Sequence, residues 1–138
     1  RTLYYFCIPL YCILNTQEDG DLNQTSVIIE ENPKFKAILE ACLRGMRIEG
    51  VVIANLDFMR DAGAFYGLSE TLNVSPDQVV VLFTKDDARM HEDPRYQEFV
   101  KRTDYVSRVV VKPGPSGIVA ILREVRVQLQ RKTERELR

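Results

Sequence analysis

Surplus charge of either sign is missing from this chain. Nineteen Lys and Arg residues meet 20 Asp and Glu over 138 residues, for a formal net charge of −1. Phosphate contact needs a basic surplus, so nucleic acid has no electrostatic case as a partner. Histidine is nearly absent: His91 stands alone in a polar stretch, a poor basis for acid–base or metal chemistry. Cysteine is scarce and odd in number. Cys7, Cys12 and Cys42 lie in apolar surroundings without metal-ligand spacing, which reads as small buried hydrophobes in a reducing, cytoplasmic compartment. No glycine-rich phosphate loop follows any apolar run, and there is no P-loop. No nucleophile–base pair stands out, so the expectation is a non-enzyme without cofactor or metal. Long hydrophobic runs are also missing. The apolar stretch from Leu3 to Leu14 is broken by Pro9 and is too short to span a bilayer. Arg1 before it suggests a signal-peptide core, but the polar Asn15–Asp19 stretch offers no small-residue cleavage site. We read the segment as a buried strand running into a short helix, and expect no membrane association.

What is present is the composition of one soluble domain, 45% hydrophobic and 28% charged. The chain is organised around Gly50–Gly63. Val51 to Ala54 run apolar without a break and stop at Asn55, the pattern of a strand buried on both faces. Thr2 to Ile8 and Ser26 to Glu30 read as earlier strands. Asn32-Pro33 opens a helix, with Asn as cap and Pro in the first turn. Phe35, Ile38, Leu39, Cys42, Leu43 and Met46 form its apolar stripe, and Gly45 or Gly50 lets the chain turn out of it. Helical periodicity returns at Phe65, Leu68 and Leu72. Gln78 to Thr84 is another fully apolar strand, Asp93-Pro94 opens a helix carrying Tyr96, Phe99 and Val100 inward, and Val106 to Val111 is the last strand. After a turn at Pro113 to Gly117, Ile118, Ile121, Leu122, Val125 and Leu129 mark a final amphipathic helix. The alternation predicts an α/β fold: a doubly wound, five-stranded parallel sheet of the flavodoxin-like kind with helices on both faces. Residues 1–130 form the domain, and the charged run 131–138 extends its last helix. No internal repeat or low-complexity segment is present.

In such a sheet Asn55, Thr84 and Lys112 fall at one rim, where the strands end and ligands collect. Taken singly, Asn55 is a turn former, Thr84 a routine strand residue, Lys112 a surface lysine, and Lys85-Asp86-Asp87 an exposed loop.

Taken together the motifs resemble the response-regulator receiver domain. Ala54-Asn55-Leu56-Asp57-Phe58-Met59, with Gly63 just after, resembles its strand-three motif, which ends in the phospho-acceptor aspartate. Leu82-Phe83-Thr84-Lys85-Asp86-Asp87 resembles its strand-four motif with the switch hydroxyl. Val109-Val110-Val111-Lys112-Pro113 resembles its strand-five motif, a lysine followed by proline, usually across a cis bond. An intact receiver needs a carboxylate nucleophile, an acid pair that holds Mg²⁺, a lysine and a hydroxyl. Here the lysine and the hydroxyl remain, while the acceptor position is the neutral Asn55. Asp57 falls where the resemblance implies a metal contact through the backbone carbonyl, and Val109 stands at the aromatic switch position. With Thr2–Ile8 as first strand there is no acid pair. In the alternative, Val27–Glu30 is the first strand, and Glu30 and Glu31 form an acidic pair able to hold metal. We prefer Val27–Glu30 as the second strand, because as a first strand it would need a further strand and helix before Val51, and Leu43 to Gly50 leaves no room for them.

The resemblance implies a pseudo-receiver that does not accept phosphate and works by protein–protein interaction in signal transduction or transcriptional regulation. Its partner is another protein or an attached output domain. The family's interaction face, made by the fourth helix, fifth strand and fifth helix, maps onto Tyr96, Phe99, Val109, Ile118 and Leu122, and implies a homodimer as one use. The rival reading is a small flavodoxin-like or Rossmann-like nucleotide binder or enzyme at the same rim. A third is a receiver phosphorylated on another carboxylate, such as Asp57.

Overall fold

The computed structural model describes residues 25–61, 77–86, 92–102 and 104–138. Within these, a parallel sheet of four strands is flanked by four helices: β1 (Val27–Ile29), α1 (Pro33–Gly45), β2 (Val51–Asn55), α2 (Leu56–Asp61), β3 (Val79–Thr84), α3 (Pro94–Arg102), β4 (Tyr105–Val110) and α4 (Pro115–Glu136). The expected strand Thr2–Ile8, and the expected helices at Leu10–Leu14 and Phe65–Leu72, lie outside the described residues.

The unbroken apolar runs take the central places, as the need to avoid water on both faces requires. β3 is buried along its whole length, and β2 everywhere except Asn55. Alternate residues serve opposite layers. Val52, Ala54, Val80 and Leu82 pack with Leu56 and Met59 of α2 and Tyr96 and Phe99 of α3. Val51, Ile53, Val79, Val81 and Phe83 face the other way, against Leu39 and Leu43 of α1 and Ile121 and Val125 of α4. The fold is therefore α/β with helices on both faces.

The spatial order is β1-β2-β3-β4, with Ile28 beside Ile53. In a sheet ordered 2-1-3-4-5, the strand beside the third is the first, and the second lies outside it. Val27–Ile29 pairs directly with β2, with no strand between them, which in that order is the place of a first strand and not of a second; Thr2–Ile8 lies outside the described residues. The Leu43–Gly50 connection holds no further strand or helix, and α1 feeds directly into β2. One topological consequence is unusual. α1 and α3 each join neighbouring strands in the same direction across the sheet, yet they lie on opposite faces. These two crossovers therefore have opposite hands, whereas almost all crossovers between parallel strands are right-handed.

Local chemistry explains the helix ends. Asn32 Oδ1 accepts hydrogen bonds from Lys34 N and Phe35 N at 3.0 and 3.2 Å, capping α1 as its sequence predicts. Neither expected glycine turns the chain out of α1 by itself. Arg47 adopts φ 58°, and Ile48 N reaches back to Leu43 O at 2.9 Å before Gly50 follows at φ 72°. The helical stripe is narrower than its periodicity implies: Leu39 and Leu43 are buried, while Ile38 and Met46 are exposed. α2 begins directly after β2, a start the sequence reading does not contain. Gly117, expected in a turn, belongs to α4. Peptide bonds among the described residues are trans, Lys112–Pro113 included.

Candidate functional site

Of the three expected rim residues, Asn55 and Lys112 line one cleft, while Thr84 is buried beside it. A cleft of about 300 Å³ is lined by Glu30, Asn32, Phe35, Asn55, Asp57, Phe83, Lys85, Val111, Lys112, Pro113 and Gly114. Each reaches it through its place in the sheet. Asn55 closes β2, and Glu30 follows the last residue of the neighbouring β1. Lys112 follows β4 by a short step, after Val111 N has donated to Thr84 O at 3.0 Å.

Both ends of the Asn55 amide group have a partner. Its nitrogen donates to Glu30 Oε1 at 3.0 Å and Oε2 at 3.2 Å. Its oxygen accepts from Phe58 N at 3.2 Å, closing the first turn of α2 as a helix cap does. Asn55 is thus both the turn former that its residue type suggests and a member of the rim. Glu30 Oε1 also accepts from Glu31 N at 2.8 Å and Asn32 N at 3.3 Å. The two acids do not converge: Glu30 turns inward, while Glu31 is exposed and lines no part of the cleft.

A second lock lies beside the first. Thr84, fully buried, donates from its hydroxyl to Asp57 Oδ1 at 2.7 Å. Lys85 N donates to Asp57 Oδ2 at 2.8 Å, and Arg60 Nη1 stands 3.8 Å from Oδ1. Thr84 Oγ1 in turn accepts from Asp86 N at 2.9 Å. The Asp57 side chain is therefore a structural anchor across 27 residues of sequence. That role has no signal in the residue's position, and the place of Lys85 in the cleft likewise needs the register of β3.

The charges are unevenly satisfied. Glu30 and Asp57 have their oxygens hydrogen-bonded, whereas the ammonium groups of Lys85 and Lys112 form no ion pair among the described residues. No group of three or more His, Cys, Asp or Glu side chains among the described residues could hold a metal ion. Glu30 and Asp57 are instead engaged by N–H and O–H donors.

The residues expected on the interaction face fall in two layers. Tyr96 and Phe99 are 7% and 1% exposed and support that side of the sheet from within. Arg108 Nη1 donates to Tyr96 Oη at 2.9 Å. Val109, Ile118 and Leu122 are half-buried against the opposite core. Cys42 is a free, half-buried thiol, and Cys7, Cys12 and His91 lie outside the described residues. No helix among the described residues is long and apolar enough to cross a membrane.

The fold and the rim define a class: a parallel α/β domain with a polar cluster where its strands end. Beyond that class, comparison with protein-family models, with curated proteins and with solved structures gives no match.

Proposed function

We propose that this domain is a receiver-like regulatory module of signal transduction or transcriptional control that acts through protein–protein recognition, without aspartyl phosphorylation and without catalysis of its own. One observation carries the reading. The residue at the acceptor position is a neutral amide whose oxygen caps α2 and whose nitrogen is held by Glu30. An amide oxygen so placed is a poor nucleophile and adds no charge to a cation site. The neighbouring carboxylate is engaged elsewhere: Asp57 Oδ1 accepts from Thr84 and Oδ2 from Lys85 N, which holds its orientation and weakens it as a nucleophile. The hydroxyl that would meet a phosphoryl group instead donates to Asp57.

The partner is a cytoplasmic protein or an output domain joined through the charged end of α4. The side built from α3, β4 and α4 offers the contact, for a homodimer or for a different protein. The test is acetyl phosphate or beryllofluoride with Mg²⁺, followed by amide NMR and by intact mass. The expected result is an unchanged spectrum and no phosphate adduct. A saturable, Mg²⁺-dependent shift at Asn55, Thr84 and Lys112, or an adduct on Asp57, overturns the proposal.

Lys85 and Lys112, which line the cleft and form no ion pair among the described residues, favour one second reading, a site for a small anion such as a nucleotide. A thermal-shift screen with nucleotides and flavins separates the two. Stabilisation that Lys112→Ala abolishes would support the binder.

A further inference from the structure

The outer side of α4 carries a feature that the rim does not use. This helix of 22 residues buries Ile121, Val125 and Gln128 against the sheet. Its other side repeats an apolar residue beside an arginine on successive turns, Leu122 with Arg123 and Val127 with Arg126, starting from Val119. Val119 and Val127 are 50% and 42% exposed, and Met46, just beyond α1, is 38% exposed. These residues line two adjoining hollows of about 370 and 440 Å³ that share Met46 and Arg126. No carboxylate lines either hollow, and neither Arg123 nor Arg126 forms an ion pair among the described residues.

We propose that the groove between the end of α1 and the outer face of α4 receives an acidic amphipathic helix of a partner protein. The apolar floor, with side chains at three- and four-residue spacing, fits a helix laid along a groove. The arginines along it have no ion-pair partner among the described residues, and a partner's carboxylates supply one. A second copy of this chain is disfavoured by the same charges. A two-fold contact sets a patch against its own copy, which places two arginine-bearing surfaces together. The groove is separate from the rim, so this inference stands whether or not the rim accepts phosphate.

The test is a display library of amphipathic helices about four turns long, apolar on one side, with Glu, Lys or Gln randomised on the flanks and panned on the full chain. The expected outcome is enrichment of Glu-flanked sequences. Their binding shifts NMR signals of Met46, Val119 and Val127 and weakens in high salt. Arg123→Glu combined with Arg126→Glu lowers their affinity about tenfold or more, as reversal of paired charges does. Both arginines are exposed, so the variant is expected to keep its circular dichroism; Val119→Ser tests the floor separately. The proposal fails if enriched helices show no acidic bias or if they perturb residues elsewhere. It also fails if the chain self-associates through this groove in sedimentation and Val127→Lys prevents it. Binding of the groove to phosphatidylserine vesicles, with no acidic helix enriched, overturns it in favour of a membrane surface.

Discussion

The side-chain amide of Asn55 bridges two elements at once, donating to the Glu30 carboxylate at 3.0 and 3.2 Å while its oxygen accepts from Phe58 N. An aspartate keeps the second of these roles and reverses the first, because it faces Glu30 with a like charge and no proton to give. Asn55→Asp should therefore lose about 1–3 kcal/mol of stability in metal-free buffer. Millimolar Mg²⁺ should restore part of that loss by binding the new carboxylate pair in the folded state alone. Thermal melts with and without Mg²⁺ check this. The parent protein is expected to show no Mg²⁺ dependence, and an Asn55→Asp variant as stable as the parent would mean that Glu30 is free to turn away.

Asp57 and Thr84 make the second prediction. Thr84→Val keeps the shape of a fully buried side chain but leaves Asp57 Oδ1 short of its 2.7 Å donor. A half-buried carboxylate deprived of a donor costs about 1–3 kcal/mol. Thr84→Ser should recover most of it. A double-mutant cycle by urea unfolding with Asp57→Asn should give a coupling of about 0.5–3 kcal/mol. A coupling near zero would remove Asp57 from the role of anchor.

Gly117 is expected to tolerate no side chain. A Cβ there would come within 2.7 Å of Lys112 O and 3.5 Å of Val111 Cβ. The helix gains about 1 kcal/mol from Gly→Ala on propensity alone. The clash is with backbone and cannot relax by a rotamer change, so Gly117→Ala should still be net destabilising, by about 1–3 kcal/mol. Amide shifts at Lys112 and Gly114 would report the displaced cleft wall, and a stabilised variant would show that the approach is looser.

Arg47 offers the opposite sign. It holds φ 58° after α1, a left-handed conformation that costs an L-residue about 1–2 kcal/mol. Its side chain is exposed and forms no ion pair among the described residues. Arg47→Gly should raise stability by a few tenths to about 1 kcal/mol, because relief of backbone strain outweighs the entropy glycine adds to the unfolded chain. Chemical denaturation reads the midpoint directly, and a fall in the midpoint would refute this account of the turn.

Much of the architecture was legible in particular residues. Val51–Ala54 and Val79–Phe83 have no polar face to give to water, so their burial in a parallel sheet followed from pattern alone. Asn32-Pro33 announced α1 because a side-chain acceptor precedes a residue with no N–H to satisfy. Other features were misread for physical reasons. Ile38 and Met46 match the apolar period of α1, yet they sit at the edge of the stripe, where the sheet no longer covers them. The helix Leu56–Asp61 is too short for periodicity to declare itself, and it stands on the Asn55 cap and the burial of Leu56 and Met59.

The amino-acid order by itself determined the four strands, the helices α1, α3 and α4, and that an amide instead of a carboxylate stands where β2 ends. Those are local properties, set by hydrophobic period and by the chemistry of single residues. Only the tertiary structure decided that Val27–Ile29 lies beside β2, that Glu30 meets Asn55 across 25 residues, and that Thr84 donates to Asp57 across 27. Strand neighbours and register bring distant side chains within hydrogen-bond reach, and no run of neighbouring residues encodes a distance between two strand ends.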